Sequence, residues 1–279
     1  MALNLFYITN RLDVALIAEK YGVDRIWIDL ETLGKAERQK GMNTVKSKHE
    51  ISDIRAIKPS LTKAELLVRV NPWNAGSASE IDAVIDAGAD MIMLPMWRSA
   101  DEVQKFLSAV DHRVRTTLLL ETREAVECID EVLRLDFDEI HIGLNDLHLS
   151  FGMTFMFELL ADGTVDRLCA KFRQKGIPYG FGGIARLGQG MLPSEYVIME
   201  HYRLGSTRAI LSRSFCDIDK CRDLTEVEER FAGNMKPLRA YESECARASA
   251  PAREANRQAV CEFVKKIVEE IKANENQNG

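Results

Sequence analysis

Two carboxylates stand where apolar runs end: Glu121 after TLLL and Asp146 at the close of EIHIGLND. Other runs end in the same way, with Asp29 and Glu31 after RIWI, Arg69 and Asn71 in LLVRVN, and Pro95 in MIMLP. Asn145 precedes Asp146, and Ser212 and Arg213 follow RAIL. Carboxylates that converge repel one another and lose hydration unless a cation joins them. Oxygen ligands with no His or Cys among them suit a hard ion such as Mg2+ or Mn2+, which leaves coordination positions for water and substrate. Glu121 and Asp146 are the pair of choice for such an ion. Arg69 would then be a fixed positive charge beside it, set to stabilise an oxyanion that develops during reaction. Plainer readings exist for each: an isolated acid caps a helix or joins an ion pair, and Arg69 can pair with Asp29 or Glu31.

These residues need elements that bring them together. Eight apolar runs recur along the chain, starting at Leu3, Arg25, Glu65, Met91, Thr117, Glu139, Pro178 and Arg208. Their near-continuous hydrophobicity is what strands covered on both faces require. Helical spacing lies between them. Ala125, Val126, Ile129, Val132 and Leu133 make one apolar stripe, SASEIDAVIDAGAD opens with serines able to cap a helix and stops at Gly88, and LPSEYVIMEHYRLG runs from Pro193 to Gly205. Eight strands alternating with helices predict a closed (β/α)8 TIM barrel, with an open doubly wound sheet as the other option. No G-x-G-x-x-G follows the first run, which favours the barrel; GFGG at 180–183 reads equally as close packing or as an anion contact. In a barrel the strand C-termini form the active site, so the run ends above would share one mouth.

The barrel is expected over 1–216. From 217 to 279 the chain becomes charged and helix-forming, and Val260, Phe263, Val264, Ile267, Val268 and Ile271 form a stripe that packs under the barrel or against a neighbouring subunit. The second option is preferred, so a homo-oligomer is expected. The 279 residues are 46% hydrophobic with a net charge of −6, and the basic residues are scattered among acids, so no nucleic-acid partner is expected. No segment approaches eighteen consecutive apolar residues, which predicts a cytoplasmic protein with no membrane partner. Six cysteines lie far apart without C-x-x-C spacing, as reduced thiols do.

Five segments in order, IDLE (28–31), VRVNP (68–72), GADMIMLP (88–95), LLLET (118–122) and IGLNDLHLSFG (142–152), resemble the HpcH/HpaI aldolase and citrate lyase beta-subunit family. The resemblance implies a phosphoenolpyruvate/pyruvate-type barrel, dependent on Mg2+ or Mn2+, that makes or breaks a carbon–carbon bond next to a pyruvate or acyl-thioester enolate. It implies Glu121 and Asp146 as metal ligands and Arg69 facing the enolate oxygen. Backbone amides from Gly143 to Asp146 would hold the substrate carboxylate. Asp29 and Glu31 would join Arg69 in catalysis, with Gly143, Asn145, Pro95 and Arg213 lining the substrate. The sequence also departs from the family. The histidine expected just after the strand-two acids is absent from DLETLGKAERQ; His49 is the nearby substitute, and its plainer reading is a solvated surface residue. Arg186, Ser212 and Arg213 can grip an anionic group or bridge the rim, while His201 reads as packed or capping. The leading expectation is a metal-dependent aldolase or lyase on a 2-keto acid skeleton. A phosphoenolpyruvate-using transferase or mutase on the same site is an alternative, although its expected E-D-K run is missing. A non-catalytic acid-binding or assembly barrel is the third reading.

Overall fold

The computed structural model describes residues 2–34 and 49–278, the side chains of 275–278 excepted. All eight apolar runs are strands: β1 (Asn4–Ile8), β2 (Arg25–Asp29), β3 (Glu65–Arg69), β4 (Met91–Leu94), β5 (Arg115–Leu120), β6 (Glu139–Ile142), β7 (Tyr179–Ile184) and β8 (Arg208–Leu211). Each pairs in parallel with the next, and β8 returns to β1, so the sheet is a closed (β/α)8 barrel.

The connecting helices are α1 (Leu12–Lys20), α2 (Ile51–Ile57), α3 (Ser77–Ala87), α4 (Ala100–Val110), α5 (Arg123–Glu127) and α6 (Ile129–Val132). There follow α7 (Leu144–Ser150), α8 (Glu158–Ala161), α9 (Thr164–Lys175) and α10 (Ser194–Leu204). The 125–133 stripe is thus broken at Cys128 into two short helices, with Ala125, Ile129 and Val132 still buried. Helix α3 starts on Gly76 without a serine cap and ends at Gly88, whose φ of 107° is the left-handed stop that glycine supplies.

Side chains of a strand alternate, so the barrel interior is layered. Phe6, Trp27, Leu67, Met91, Met93 and Leu119 form an apolar middle layer of their own. Two residues earlier on several strands lies a charged floor. Arg25 Nε pairs with Glu65 at 2.9 Å and its Nη2 with Glu139 at 2.7 Å, while Arg208 also pairs with Glu139 and Arg115 with Glu65. Two residues later, Asp29, Arg69 and Glu121 face inward at the C-terminal mouth. The GFGG stretch lies in β7, where the packing reading holds. A Cβ on Gly180 would stand 2.4 Å from the Arg208 carbonyl oxygen, and Gly182, at φ 51°, lies against Leu144.

The tail folds onto the barrel as α11 (Leu224–Arg247) and α12 (Ala250–Asn278). Phe231 of α11 is buried against Tyr7 and Phe215, and Glu242 accepts the Leu3 amide at 2.7 Å. The stripe on α12 is covered within the chain, contrary to the preferred expectation. Val260, Val264 and Ile267 are buried where α12 packs on α10 and α8, and the partly exposed Phe263 lies against Tyr196. That stripe therefore gives no ground for a subunit contact.

Candidate active site

The strongest contact at the mouth follows from register. Asp29 and Arg69 are laddered neighbours at the ends of β2 and β3. Arg69 donates through Nε to Asp29 Oδ1 at 2.8 Å and through Nη2 to Oδ2 at 2.9 Å. Its Nη2 also lies 3.2 Å from Glu31 Oε2, and the guanidinium sits 5.1 Å from the Trp27 ring centroid. Burial alone would lower the arginine's pKa, but the charges of Asp29 and Glu31 outweigh it and hold the pKa above its ordinary value. The plainer reading of Arg69, an ion pair with these acids, is therefore correct, and the pair fixes the cation in place. The named bonds use Nε and Nη2, which leaves Nη1 for a ligand oxygen.

Glu121 follows β5 directly and is only 2% exposed. Its Oε1 accepts the Met96 amide at 3.0 Å. Met96 holds the left-handed φ of 53° that a side-chain-bearing residue rarely adopts, so local strain is spent on aiming that donor. Pro95, buried between β4 and Met96, fixes the approach to this turn. Across the carboxylate lies Gly143. A Cβ there would be 2.8 Å from Glu121 Oε2 and 3.0 Å from Glu121 Cβ, so only glycine admits Glu121 in this position. Burial, and then the charge of Asp146, push the Glu121 pKa well above the usual carboxylate range, with Arg69 only partly offsetting them.

Asp146 is not at a strand end, as the sequence reading had it. The ladder stops at Ile142, and Leu144, Leu147 and His148 bury one face of α7, which puts Asn145 and Asp146 in the first helical turn. Asn145 is exposed and Asp146 half-buried. The Gly143 amide was expected to hold substrate, but it donates to the Leu120 carbonyl at 2.9 Å. The amides of residues 144 and 145, as first-turn donors, have no acceptor within the helix.

His49 returns to the mouth from beyond β2. Its Nδ1 accepts the Asp29 amide at 2.9 Å, which fixes the neutral tautomer with its proton on Nε2. It is half-buried rather than a solvated surface residue, and it cannot take a proton on Nδ1 without giving up that bond. His201 is fully buried, stacked on Phe181 at 3.9 Å and bonded to Ser206 Oγ at 2.7 Å, and burial lowers its pKa to about 3. It is a packing residue. Arg186 and Arg213 are exposed on the segments leaving β7 and β8, and Ser212 Oγ bonds Ser214 Oγ. Asn71 turns outward from the cluster to accept the Thr32 and Leu33 amides at 2.9 and 3.0 Å.

Asp29 and Glu31 thus grip one guanidinium, and the charge of Glu121 also acts on it. Among the described residues no group of three or more His, Cys, Asp or Glu is arranged to hold a metal. Glu121 and Asp146 are the carboxylates that could hold a hard divalent ion, which would offset the burial of Glu121 and the charge of Asp146 upon it.

The family model for HpcH/HpaI aldolase/citrate lyase matches residues 3–159, more than half of the sequence. The chain belongs to this family. Membership supports a lyase-type activity in a family that is generally dependent on divalent metals. Two solved structures show the same fold at low identity. An HpcH/HpaI aldolase from Desulfitobacterium hafniense DCB-2 is 14% identical with a TM-score of 0.60, over 85% of this chain and 93% of its own. RipC from Yersinia pestis is 16% identical with a TM-score of 0.55, over 82% and 94%. No curated protein matches the sequence. No helix among the described residues is long and apolar enough to cross a membrane.

The residues of this family member that sequence reading passed over are Met96, Thr122 and Arg123. Thr122 Oγ1 caps α5 at the Ala125 amide and donates to the Trp97 carbonyl at 2.8 Å. A threonine just before REAVE was a legible cap signal. The strain at Met96 had no sequence signal.

Proposed function

We propose that the chain is a divalent-metal-dependent carbon–carbon lyase of the aldolase type, acting on a 2-keto acid or acyl-thioester whose reaction passes through an enolate. The observation that carries this reading is the buried Glu121, whose carboxyl pKa is pushed up by burial and by the charge of Asp146, next to an arginine already locked in place. Mg2+ or Mn2+ held by Glu121 and Asp146 would supply Lewis-acid polarisation of the substrate's carbonyl.

The protein groups have distinct parts in the reaction. Arg69 needs no reorganisation to meet charge developing on the substrate oxygen, because Asp29 holds it through two bonds before substrate arrives. The amides of residues 144 and 145, first-turn donors without a helical acceptor, would receive a substrate carboxylate. Asp29 spends both oxygens on Arg69, and His49 spends Nδ1 on an amide, so neither is suited to take up a proton. Glu31 contacts Arg69 at the longer distance of 3.2 Å, and we assign the proton transfer to it.

The test is a calorimetric titration with Mn2+ in the absence and presence of oxalate, a flat dianion that resembles an enolised 2-keto acid. Binding that oxalate tightens, and that Glu121→Gln abolishes, is the expected result. Mn2+ binding that ignores both oxalate and the substitution would remove the basis for the assignment.

A further inference from the structure

The two acids offered to the metal sit on different elements. Glu121 follows a strand laddered on both sides, whereas Asp146 rides on α7, a two-turn helix outside the sheet. The start of α7 is tied to the end of β5 by the Gly143 amide on the Leu120 carbonyl, and its far end needs a tie as well. Two residues after Glu121, Arg123 supplies it at three points. Its amide donates to Ser150 Oγ at 2.9 Å, its Nε to the Ser150 carbonyl at 3.4 Å, and its Nη2 to the Phe151 carbonyl at 3.3 Å. The guanidinium also lies 4.7 Å from the centre of the Phe151 ring. These acceptors are at the C-terminal end of α7, where carbonyls lack helical partners and a cation is favoured.

Thr122 fastens the same segment on the other side, to the Trp97 carbonyl just past Met96, whose amide holds Glu121. Three consecutive residues therefore divide the work: Glu121 is the ligand, Thr122 ties it to the β4 loop, and Arg123 ties it to the helix that carries Asp146.

We infer that Arg123 is a positioning residue that sets the spacing between Glu121 and Asp146, and with it the affinity for the divalent ion; this rests on the metal reading above. Arg123 is exposed and covers only the partly buried Phe151 at the rim, so its removal leaves the fully buried packing of the barrel intact.

The experiment compares wild type, Arg123→Ala and Arg123→Lys by Mn2+ calorimetry, thermal melting, and hydrogen–deuterium exchange of the peptide spanning 144–151. Arg123→Ala is expected to weaken Mn2+ binding about tenfold, the lower end of what losing outer support around metal ligands brings. Exchange in 144–151 should quicken, while the melting temperature of the metal-free protein stays unchanged. Lysine, a cation without the planar fork, should restore part of the affinity. Ser150→Ala, which removes the acceptor of the Arg123 amide, gives an independent variant if Arg123→Ala folds poorly, and the same slackening is expected. Unchanged Mn2+ affinity in Arg123→Ala, with wild type binding normally, would overturn the inference alone. Absence of Mn2+ binding in wild type would instead overturn the metal reading on which it rests.

Discussion

Glu121 occupies a setting that disfavours its own charge. Burial and the neighbouring Asp146 raise its pKa, so without metal the folded protein takes up a proton there that the unfolded chain, at the same pH, has released. The sign follows. Stability of the metal-free protein falls as pH rises from the ordinary carboxylate range through the raised value of Glu121, and metal affinity climbs over the same window as the ion displaces the proton. Glu121→Gln cannot titrate, so its melting temperature should exceed that of wild type on the alkaline side of the window and match it on the acid side. Melting curves in chelator from about pH 5 to 9 read this directly. A wild-type curve that runs parallel to the glutamine variant's would refute the pKa assignment. Arg69 makes a second case at this scale. Arg69→Lys keeps the charge but loses the two-point grip on Asp29, and should lower kcat by about 100-fold or more, as removal of one preorganised donor does.

At the scale of elements, strands were more legible than their ends. Runs such as RIWID and ELLVR lie between two covered faces, so hydrophobicity alone marks them, and the acids that break the runs mark the mouth. EIHIGLND misled because it joins two elements: β6 stops at Ile142, and the apolar residues beyond Gly143 have helical spacing, which carries Asp146 off the sheet. His49 was illegible as a neighbour of Asp29, since a contact across twenty residues of connecting chain leaves no local pattern. The stripe of α12 was visible, but its partner was not, because an apolar face does not specify what covers it. The observed packing predicts that Val264→Ala destabilises the protein by about 1–3 kcal/mol, the worth of the buried methyl groups with the cavity they leave. Denaturant unfolding should show this loss with no dependence on protein concentration. A concentration-dependent midpoint would return the stripe to a subunit interface.

Across the whole molecule, the barrel interior runs from a charged floor through an apolar middle to a charged mouth. The floor pairs arginines with glutamates in direct contact, whereas the mouth gathers Asp29, Glu31 and Glu121 about one arginine and sets the charge of Asp146 against Glu121. This asymmetry sets a floor of matched ion pairs against the end to which the proposed chemistry is assigned, in keeping with the rule that barrel activity resides at strand C-termini. The sequence carried the mouth's residue types because they interrupt apolar runs. The floor went unnoticed because Arg25, Glu65, Glu139 and Arg208 stand at strand starts, where a charge reads as a loop boundary.

Glu121, Asp146 and Arg69 are proposed together to stabilise an enolate. This role is tested most directly by following, by proton NMR in D2O, exchange of the methyl protons of pyruvate with the protein and Mg2+ or Mn2+. The expected result is exchange well above the metal-only background, lost on chelation and lost in Glu121→Gln. Exchange at background rate with the metal bound, or full exchange in Glu121→Gln, would contradict it.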